Sequence, residues 1–202
     1  MNSTIDEIYK YYTENGFSLE ISDLTKITES SIDVLHKIIK GGNIDDIPKE
    51  IYNYVGFYNE IKNNYLEAEK YYLLSIEQNN SNAMNNLGYL YKKEGNIELA
   101  KKYYLLSTDQ NNCIGMNYLG LLYKEEGNIE LAKKYFLMAI EKNNSIAMYN
   151  LGCLYNKEGN IELAKKYYLL SIEKNDSDAM NNLGFLYDEE GNIELAKKYY
   201  FM

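Results

Sequence analysis

The sequence predicts an all-α fold: a right-handed α-α superhelix, or solenoid, of stacked antiparallel helix pairs with an N-terminal helical cap. The string EGNIELAKKY begins at Glu94 and recurs three more times at a strict spacing of 32 residues. A Leu-Gly dipeptide, first clear at Leu87, recurs in step with it. Self-similarity at such a period is typical of repeat architectures. The 202 residues include one proline, which leaves long helices uninterrupted.

Residues 1–47 do not follow the repeat. Ser3 or Thr4 is expected to cap a first helix that ends at Gly16. A second helical pattern ends before Gly41, and Pro48 suits the first position of the helix that follows. The apolar positions of the second pattern are Ile32, Leu35, Ile38 and Ile39. We expect an N-terminal helical cap or a degenerate repeat here, with a separate binding domain as the alternative.

Each repeat carries two helical patterns. In the unit that starts at Ser81, one apolar side recurs at steps of three and four residues, Gly95 ends the helix and Asn96 caps the next. The second helix pairs Glu98 with Lys102 on its outer side. Neither helix can cover its own apolar side, so neighbouring units must stack. The predicted units are residues 49–80, 81–112, 113–144, 145–176 and 177–202, the last of them truncated.

The spacing of eight residues resembles the tetratricopeptide repeat (TPR). These residues are Asn86, Leu87, Gly88, Tyr91, Gly95, Ala100, Tyr104 and Ser107. The stretch from Ala83 to Tyr91 also resembles the related Sel1-like repeat. The resemblance covers residues 49–202 and implies a solenoid. Two departures change the expected pitch: the period is 32 rather than about 34 residues, and Asn-Asn replaces the expected proline.

The charge balance disfavours nucleic acid as a partner. The chain has 30 acidic and 21 basic residues, a net charge of −9, and the sequence contains no arginine. Phosphate binding needs a dense basic face, and arginine supplies the fork that pairs with phosphate or guanine. Single-stranded RNA binding, which some helical-repeat proteins achieve with paired polar positions, is therefore a disfavoured alternative.

Composition also predicts a cytoplasmic protein, in the host cytoplasm if the source is viral. No stretch approaches the roughly 18 uninterrupted apolar residues of a membrane span, so no membrane association is expected. The N-terminus lacks the basic and apolar regions of a secretion signal. Cys113 and Cys153 form no CxxC pair and suggest no disulfide framework.

No motif points to catalysis. His36 is the single histidine, and it has no cysteine or HExxH context that would make it a metal ligand. Gly41-Gly42 lacks the remainder of a phosphate-binding loop. We expect no enzymatic activity, no cofactor and no metal.

The resemblance implies a binding surface, because in TPR proteins the first helix of each repeat lines an inner face that commonly binds an extended peptide. The first predicted column on this face is Asn53, Asn85, Asn117, Tyr149 and Asn181. The second, suited to apolar side chains, is Phe57, Tyr89, Leu121, Cys153 and Phe185. The third is Glu60, Lys92, Lys124, Asn156 and Asp188. The alternative is that asparagines such as Asn86, Asn150 and Asn182 are scaffold residues and that the second column packs between helices.

The last repeat offers a second candidate surface. Its second helix stops at Met202 without a polar capping helix behind it, and the apolar residues there are Leu195, Tyr199, Phe201 and Met202. An end-to-end homodimer, a docked partner and a truncated chain each account for this pattern. The leading hypothesis is a non-enzymatic scaffold that binds a protein or peptide on the concave face. The alternative is a structural protein that dimerises through its C-terminal helix.

Overall fold

The computed structural model describes residues 3–15, 28–42 and 46–202, and within them the predicted all-α fold is confirmed, since no strand occurs there. The predicted helix end at Gly16 lies outside the described residues. The helices are α1 (Ser3–Glu14), α2 (Glu29–Ile39), a 3₁₀ turn (Lys49–Ile51), α3 (Tyr52–Ile61), α4 (Tyr65–Ile76), α5 (Ser81–Lys93), α6 (Ile97–Asp109), α7 (Cys113–Glu125), α8 (Ile129–Glu141), α9 (Ser145–Lys157), α10 (Ile161–Ile172), α11 (Ser177–Glu189) and α12 (Ile193–Tyr200).

The chain divides into two compact units, residues 1–106 and 107–202. In the first unit, α1 and α2 pack with α3 around a core that includes Ile8, Tyr12 and Leu35. The Tyr12 hydroxyl donates to the backbone oxygen of Tyr54 at 2.8 Å, which satisfies this fully buried phenol. The N-terminal helices therefore cover apolar surface of the first repeat helix, α3.

The second unit consists of helix pairs that pack one on the next. Helices α7 and α8, α9 and α10, and α11 and α12 form the pairs, and α8 and α10 each contact the helix that follows. One core joins Phe136 and Ala139 of α8 to Leu151 of α9. A further core joins Tyr168 of α10 to Leu183 of α11. Each pair thus buries its apolar side against its neighbour, as predicted from the repeat.

In the repeat of residues 113–144, both turns use one residue with positive φ followed by an asparagine cap. After α7, Gly127 has φ 79°, and the Asn128 side chain accepts from the N–H of Leu131 at 3.2 Å. After α8, Asn143 has φ 61°, and Asn144 caps the next helix. Glycine and asparagine adopt this left-handed conformation more readily than other residues. The Asn-Asn pair that replaces proline therefore ends one helix and begins the next.

A glycine brings the two helices of each pair close together. A Cβ atom placed on Gly120 would lie 2.6 Å from Cδ1 of Phe136, and one on Gly152 would lie 2.7 Å from Cδ1 of Tyr168. Both rings are buried and cannot move away freely. Only glycine lets the aromatic ring of the second helix rest on the backbone of the first.

Lysines of the second helices connect consecutive repeats. Nζ of Lys133 lies 2.9 Å from Glu158 and 5.2 Å from the ring centroid of Tyr155, both in the next repeat. Lys165 makes the same contacts with Glu190 and Tyr187. Within α8, the carboxylate of Glu130 lies 3.8 Å from Lys133, three residues away, whereas the sequence predicts a pair four residues apart. These partly buried ion pairs link each second helix to the first helix of the next repeat and so orient neighbouring repeats.

We predict that Gly120→Ala destabilises the protein by about 1–3 kcal/mol, because the added methyl group overpacks Phe136. Helix propensity alone predicts the opposite, a gain of about 1 kcal/mol. Urea unfolding of the variant and the parent protein measures the difference. A variant as stable as the parent would show that the helices can separate at this point.

Candidate functional site

The first predicted column lies on the first helices of the repeats, and much of it is buried. Asn53, Asn85 and Asn117 are 5 %, 2 % and 4 % exposed, respectively. Tyr149 is half-buried and Asn181 is exposed. A buried amide favours hydrogen-bond partners within the protein, and Asn53 and Asn117 both have one on a neighbouring helix. Little of Asn53, Asn85 or Asn117 is presented to solvent.

Asparagines hydrogen-bond between consecutive first helices. In the first unit, Nδ2 of Asn86 donates to Oδ1 of Asn53 at 2.9 Å. In the second unit, Nδ2 of Asn150 donates to Oδ1 of Asn117 at 3.0 Å. These bonds join residues 33 positions apart in sequence. They hold neighbouring first helices in register, as the scaffold alternative predicts for Asn86 and Asn150.

The fourth repeat departs from this pattern, because Tyr149 replaces the asparagine. Its hydroxyl accepts from Nδ2 of Asn182 at 3.2 Å, and the same amide lies 3.7 Å from Sγ of Cys153. The Tyr168 hydroxyl also contacts Cys153, at 3.5 Å. Burial raises the pKa of Tyr149, so this phenol is neutral at physiological pH. The second-column residue Cys153 thus belongs to a polar cluster between α9, α10 and α11.

The second column is more accessible at two positions. Tyr89 of α5 is 46 % exposed and Phe185 of α11 is 51 % exposed. Phe57, Leu121 and Cys153 are half-buried at the equivalent positions. Each of the two compact units therefore has one large aromatic side chain open to solvent at this register. Whether these residues contact a partner stays a prediction.

The residues of the third column differ in charge and burial from one repeat to the next. Glu60 is buried and accepts from the Tyr72 hydroxyl at 2.8 Å. Burial raises the pKa of the Glu60 carboxyl above its ordinary value, while Tyr72 and the positive charge of Lys93 oppose that effect. Lys92, Lys124 and Asn156 are half-buried, and Asp188 is exposed. Glu60 therefore has a structural contact, whereas Asp188 points to solvent.

The four predicted self-association residues fall into two classes. Leu195 packs against the core of the last repeat, and Tyr199 is buried with its ring stacked on Tyr187 at 5.7 Å. Phe201 and Met202 are 86 % and 65 % exposed, respectively. Only the last two present most of their apolar surface to solvent.

A row of leucines on the second helices was not predicted as a surface. Its members are 36–39 % exposed: Leu73, Leu105, Leu137 and Leu169. In the second unit, open cavities of about 570 and 400 Å³ lie beside Leu137 and Leu169, with Tyr155 and Tyr187 in their walls. The 32-residue spacing of these leucines is visible in the sequence. Their partial exposure depends on how much of each leucine side chain the adjacent repeat covers.

The single histidine and the two cysteines have the following surroundings. His36 lies 3.0 Å from Glu7, which also pairs with Lys40 at 2.8 Å. Hydrogen bonds from Lys40 and, to a lesser extent, His36 lower the pKa of the Glu7 carboxyl. Across residues 3–15, 28–42 and 46–202, no three His, Cys, Asp or Glu side chains form a group that could hold a metal ion. Cys113 and Cys153 are free thiols.

Comparison with protein families identifies the repeat. The tetratricopeptide repeat model matches residues 81–112, 117–143, 146–175 and 177–200, which together make up more than half of the chain. The chain belongs to the tetratricopeptide repeat family. The Sel1 repeat model matches residues 52–80, so the first repeat of this tetratricopeptide repeat protein has Sel1 character. The predicted resemblance to both families is confirmed, although the Sel1 model matches residues 52–80 and not the stretch from Ala83 to Tyr91.

Solved structures show the same fold. The protective antigen c5321 of uropathogenic Escherichia coli, which has an SLR fold, matches 98 % of this chain with a TM-score of 0.67 and 22 % identity. This chain covers only 44 % of c5321. A Sel1 repeat protein from Oxalobacter formigenes matches 83 % of this chain and 77 % of its own, with a TM-score of 0.66 and 21 % identity.

A third similar structure is the APC/C hetero-tetramer Cut9–Hcn1, where the match covers 96 % of this chain and 41 % of that chain. Its TM-score is 0.64 at 16 % identity. Identities this low establish the tetratricopeptide/Sel1 solenoid fold alone. Comparison with curated protein sequences finds no match. In the part of the chain that the structure describes, every helix is too short or too polar to cross a bilayer.

We predict that Asn117→Ala destabilises the protein by about 1–2 kcal/mol, because it removes the acceptor for Asn150 between two helices. Asn181 occupies the same register but is exposed, so Asn181→Ala should change stability by less than about 0.5 kcal/mol. Urea unfolding of the two variants checks the contrast. Equal effects would show that the hydrogen bond between repeats contributes nothing.

Proposed function

We propose that this tetratricopeptide repeat protein is a non-enzymatic scaffold that binds a protein or peptide partner on its first helices. Tetratricopeptide and Sel1 repeats generally serve as scaffolds for protein–protein interaction. The Cut9–Hcn1 hetero-tetramer is an example of a similar fold within a multi-protein assembly. The two free thiols are compatible with the cytoplasm, which we propose as its location.

The exposure of Tyr89 and Phe185 carries this proposal. Both side chains occupy the same register of a first helix, and each leaves about half of its surface open. Exposed aromatic rings give much of the binding energy at protein interfaces, since they bury a large area and lose little conformational entropy. Their neighbours in the second column, Leu121 and Cys153, are half-buried and would complete an apolar strip within the second unit.

The repeat scaffold supports binding by holding these side chains in place before a partner arrives. Helix α5 is fixed to α3 by the Asn86–Asn53 bond, and α9 to α7 by the Asn150–Asn117 bond. Glycine contacts then fix each first helix to its second helix. Little conformational entropy is lost when a preformed surface binds, so even modest contacts give measurable affinity.

We expect Tyr89→Asp and Phe185→Asp each to weaken partner binding by about tenfold or more, because each removes an aromatic contact and introduces a charge. The full chain serves as bait in an extract of its source organism, and captured proteins are quantified by mass spectrometry. Leu66→Asp is the control, because Leu66 is also a large apolar residue open to solvent, at 82 % exposure, but lies on the second helix α4. If Tyr89→Asp, Phe185→Asp and the Leu66→Asp control all retain the same partners, the proposed binding face is wrong.

Self-association through α12 is the second candidate function. The observation that favours it is the exposure of Phe201 and Met202 beside the half-exposed Tyr200. Contiguous exposed apolar side chains are typical of an interface. Two copies that pack these residues against each other would remove them from water.

If α12 forms such an interface, light scattering at micromolar concentration should give the mass of a dimer. Phe201→Asp should return the mass to that of a monomer, because a carboxylate would be buried without a partner. Leu66→Asp, on a different helix, should leave the dimer intact. A monomer at every concentration tested would exclude this function.

A further inference from the structure

The first helices of the second unit carry an ordered set of charges on one face. Four positions of each helix, spaced by three, four and three residues, share this face. In α7 they are Ile114, Asn117, Leu121 and Lys124. In α9 they are Ile146, Tyr149, Cys153 and Asn156. In α11 they are Asp178, Asn181, Phe185 and Asp188. On this face, α7 therefore carries one positive charge, α9 carries none and α11 carries two negative charges.

The order of these charges in space follows from the bonds between the helices. Asn150 of α9 reaches Asn117 of α7, and Asn182 of α11 reaches Tyr149 of α9. The three helices consequently lie side by side in sequence order. Burial is the main cause of the raised pKa of Tyr149, and the negative charge of Asp178 on the neighbouring helix adds to it. The face is thus positive at its α7 side and negative at its α11 side.

Within the described residues, the three charges of this face take part in no ion pair. Lys133 and Lys165 each pair with a glutamate of the next repeat. By contrast, Lys124, Asp178 and Asp188 have no salt bridge with any residue that the structure describes. A charged group that pairs with nothing in its own protein is available to a partner.

Apolar surface lies between the charged ends of the face. Leu121 and Cys153 are half-buried, while Ile146 and Phe185 are more than half exposed. An extended segment laid across the three helices would meet Lys124 of α7 first, then the apolar residues, and then the acidic residues of α11. Asp188 lies one turn from Phe185, whereas Asp178 lies in the first turn of the same helix. The ring of Phe185 can also attract a cation that Asp188 holds nearby.

We infer that this face binds an extended segment of a partner protein in which apolar residues separate an acidic side chain from basic side chains. The acidic side chain lies at Lys124, and the basic side chains lie at Asp178 and Asp188. This inference rests on the proposed scaffold function and adds the chemistry of the partner. A uniformly acidic segment would be repelled at α11, and a uniformly basic one at α7, so the face excludes both.

The test is a selection of short random peptides, displayed on phage, for binding to the full chain. Enriched peptides should carry Asp or Glu on one side of an apolar stretch and Lys or Arg on the other. The affinity of an enriched peptide is then measured by fluorescence anisotropy. Asp178→Asn with Asp188→Asn should weaken binding about fivefold, as expected for two exposed ion pairs, and Lys124→Gln about twofold.

A matched control separates local contacts from the effect of net charge. Glu130→Gln with Glu162→Gln removes the same two negative charges from exposed positions on the second helices. This control should retain the parent affinity. The charge inference is wrong if enriched peptides lack the ordered charges, or if control and face variants lose affinity equally. If Phe185→Asp abolishes peptide binding, the result still supports the scaffold function. If the selection enriches no peptide, the result contradicts the proposed function itself.

Discussion

The contact between a glycine of one helix and an aromatic ring of the next is the feature on which each repeat depends. Phe136 rests on Gly120 and Tyr168 rests on Gly152. Burial of each ring stabilises the pair by roughly 1.5–3 kcal/mol, and a side chain larger than hydrogen would hold the helices apart. The second helix then presents its remaining apolar side outward. That side, which includes Ala139, must be covered by the following repeat, so the fold grows by addition of repeats.

Polar contacts between repeats decide which side chains remain for a partner. The hydrogen bond from Asn150 occupies the Asn117 amide, which the sequence alone presents as a candidate for binding. Lys133 and Lys165 are likewise engaged by Glu158 and Glu190. These contacts add modest stability, but they give each repeat a single register against its neighbour. A binding surface built on repeats needs that register, because its spacing comes from several helices.

Several side chains of the first helices are not used in these contacts. The rings of Tyr89 and Phe185 are about half exposed. Among the described residues, Lys124, Asp178 and Asp188 form no ion pair. Departures from the repeat fall at the same register, since α9 has Tyr149 and Cys153 where neighbouring repeats have asparagine and larger apolar residues. The scaffold is therefore nearly identical from repeat to repeat, whereas the outward positions differ. Such a division suits a surface that distinguishes one partner from another.

The sequence by itself determined the helices, their order and their turns, because these depend on local chemistry repeated every 32 residues. The glycine and asparagine turns and the Gly-to-ring spacing are all visible in the periodic string. The tertiary structure alone decided which polar residues face solvent. Asn117 and Asn181 occupy the same register, yet one is buried by the next repeat and the other is exposed. The pairing of Lys133 with Glu158 likewise spans 25 residues, a distance that only the packing of neighbouring helices can close.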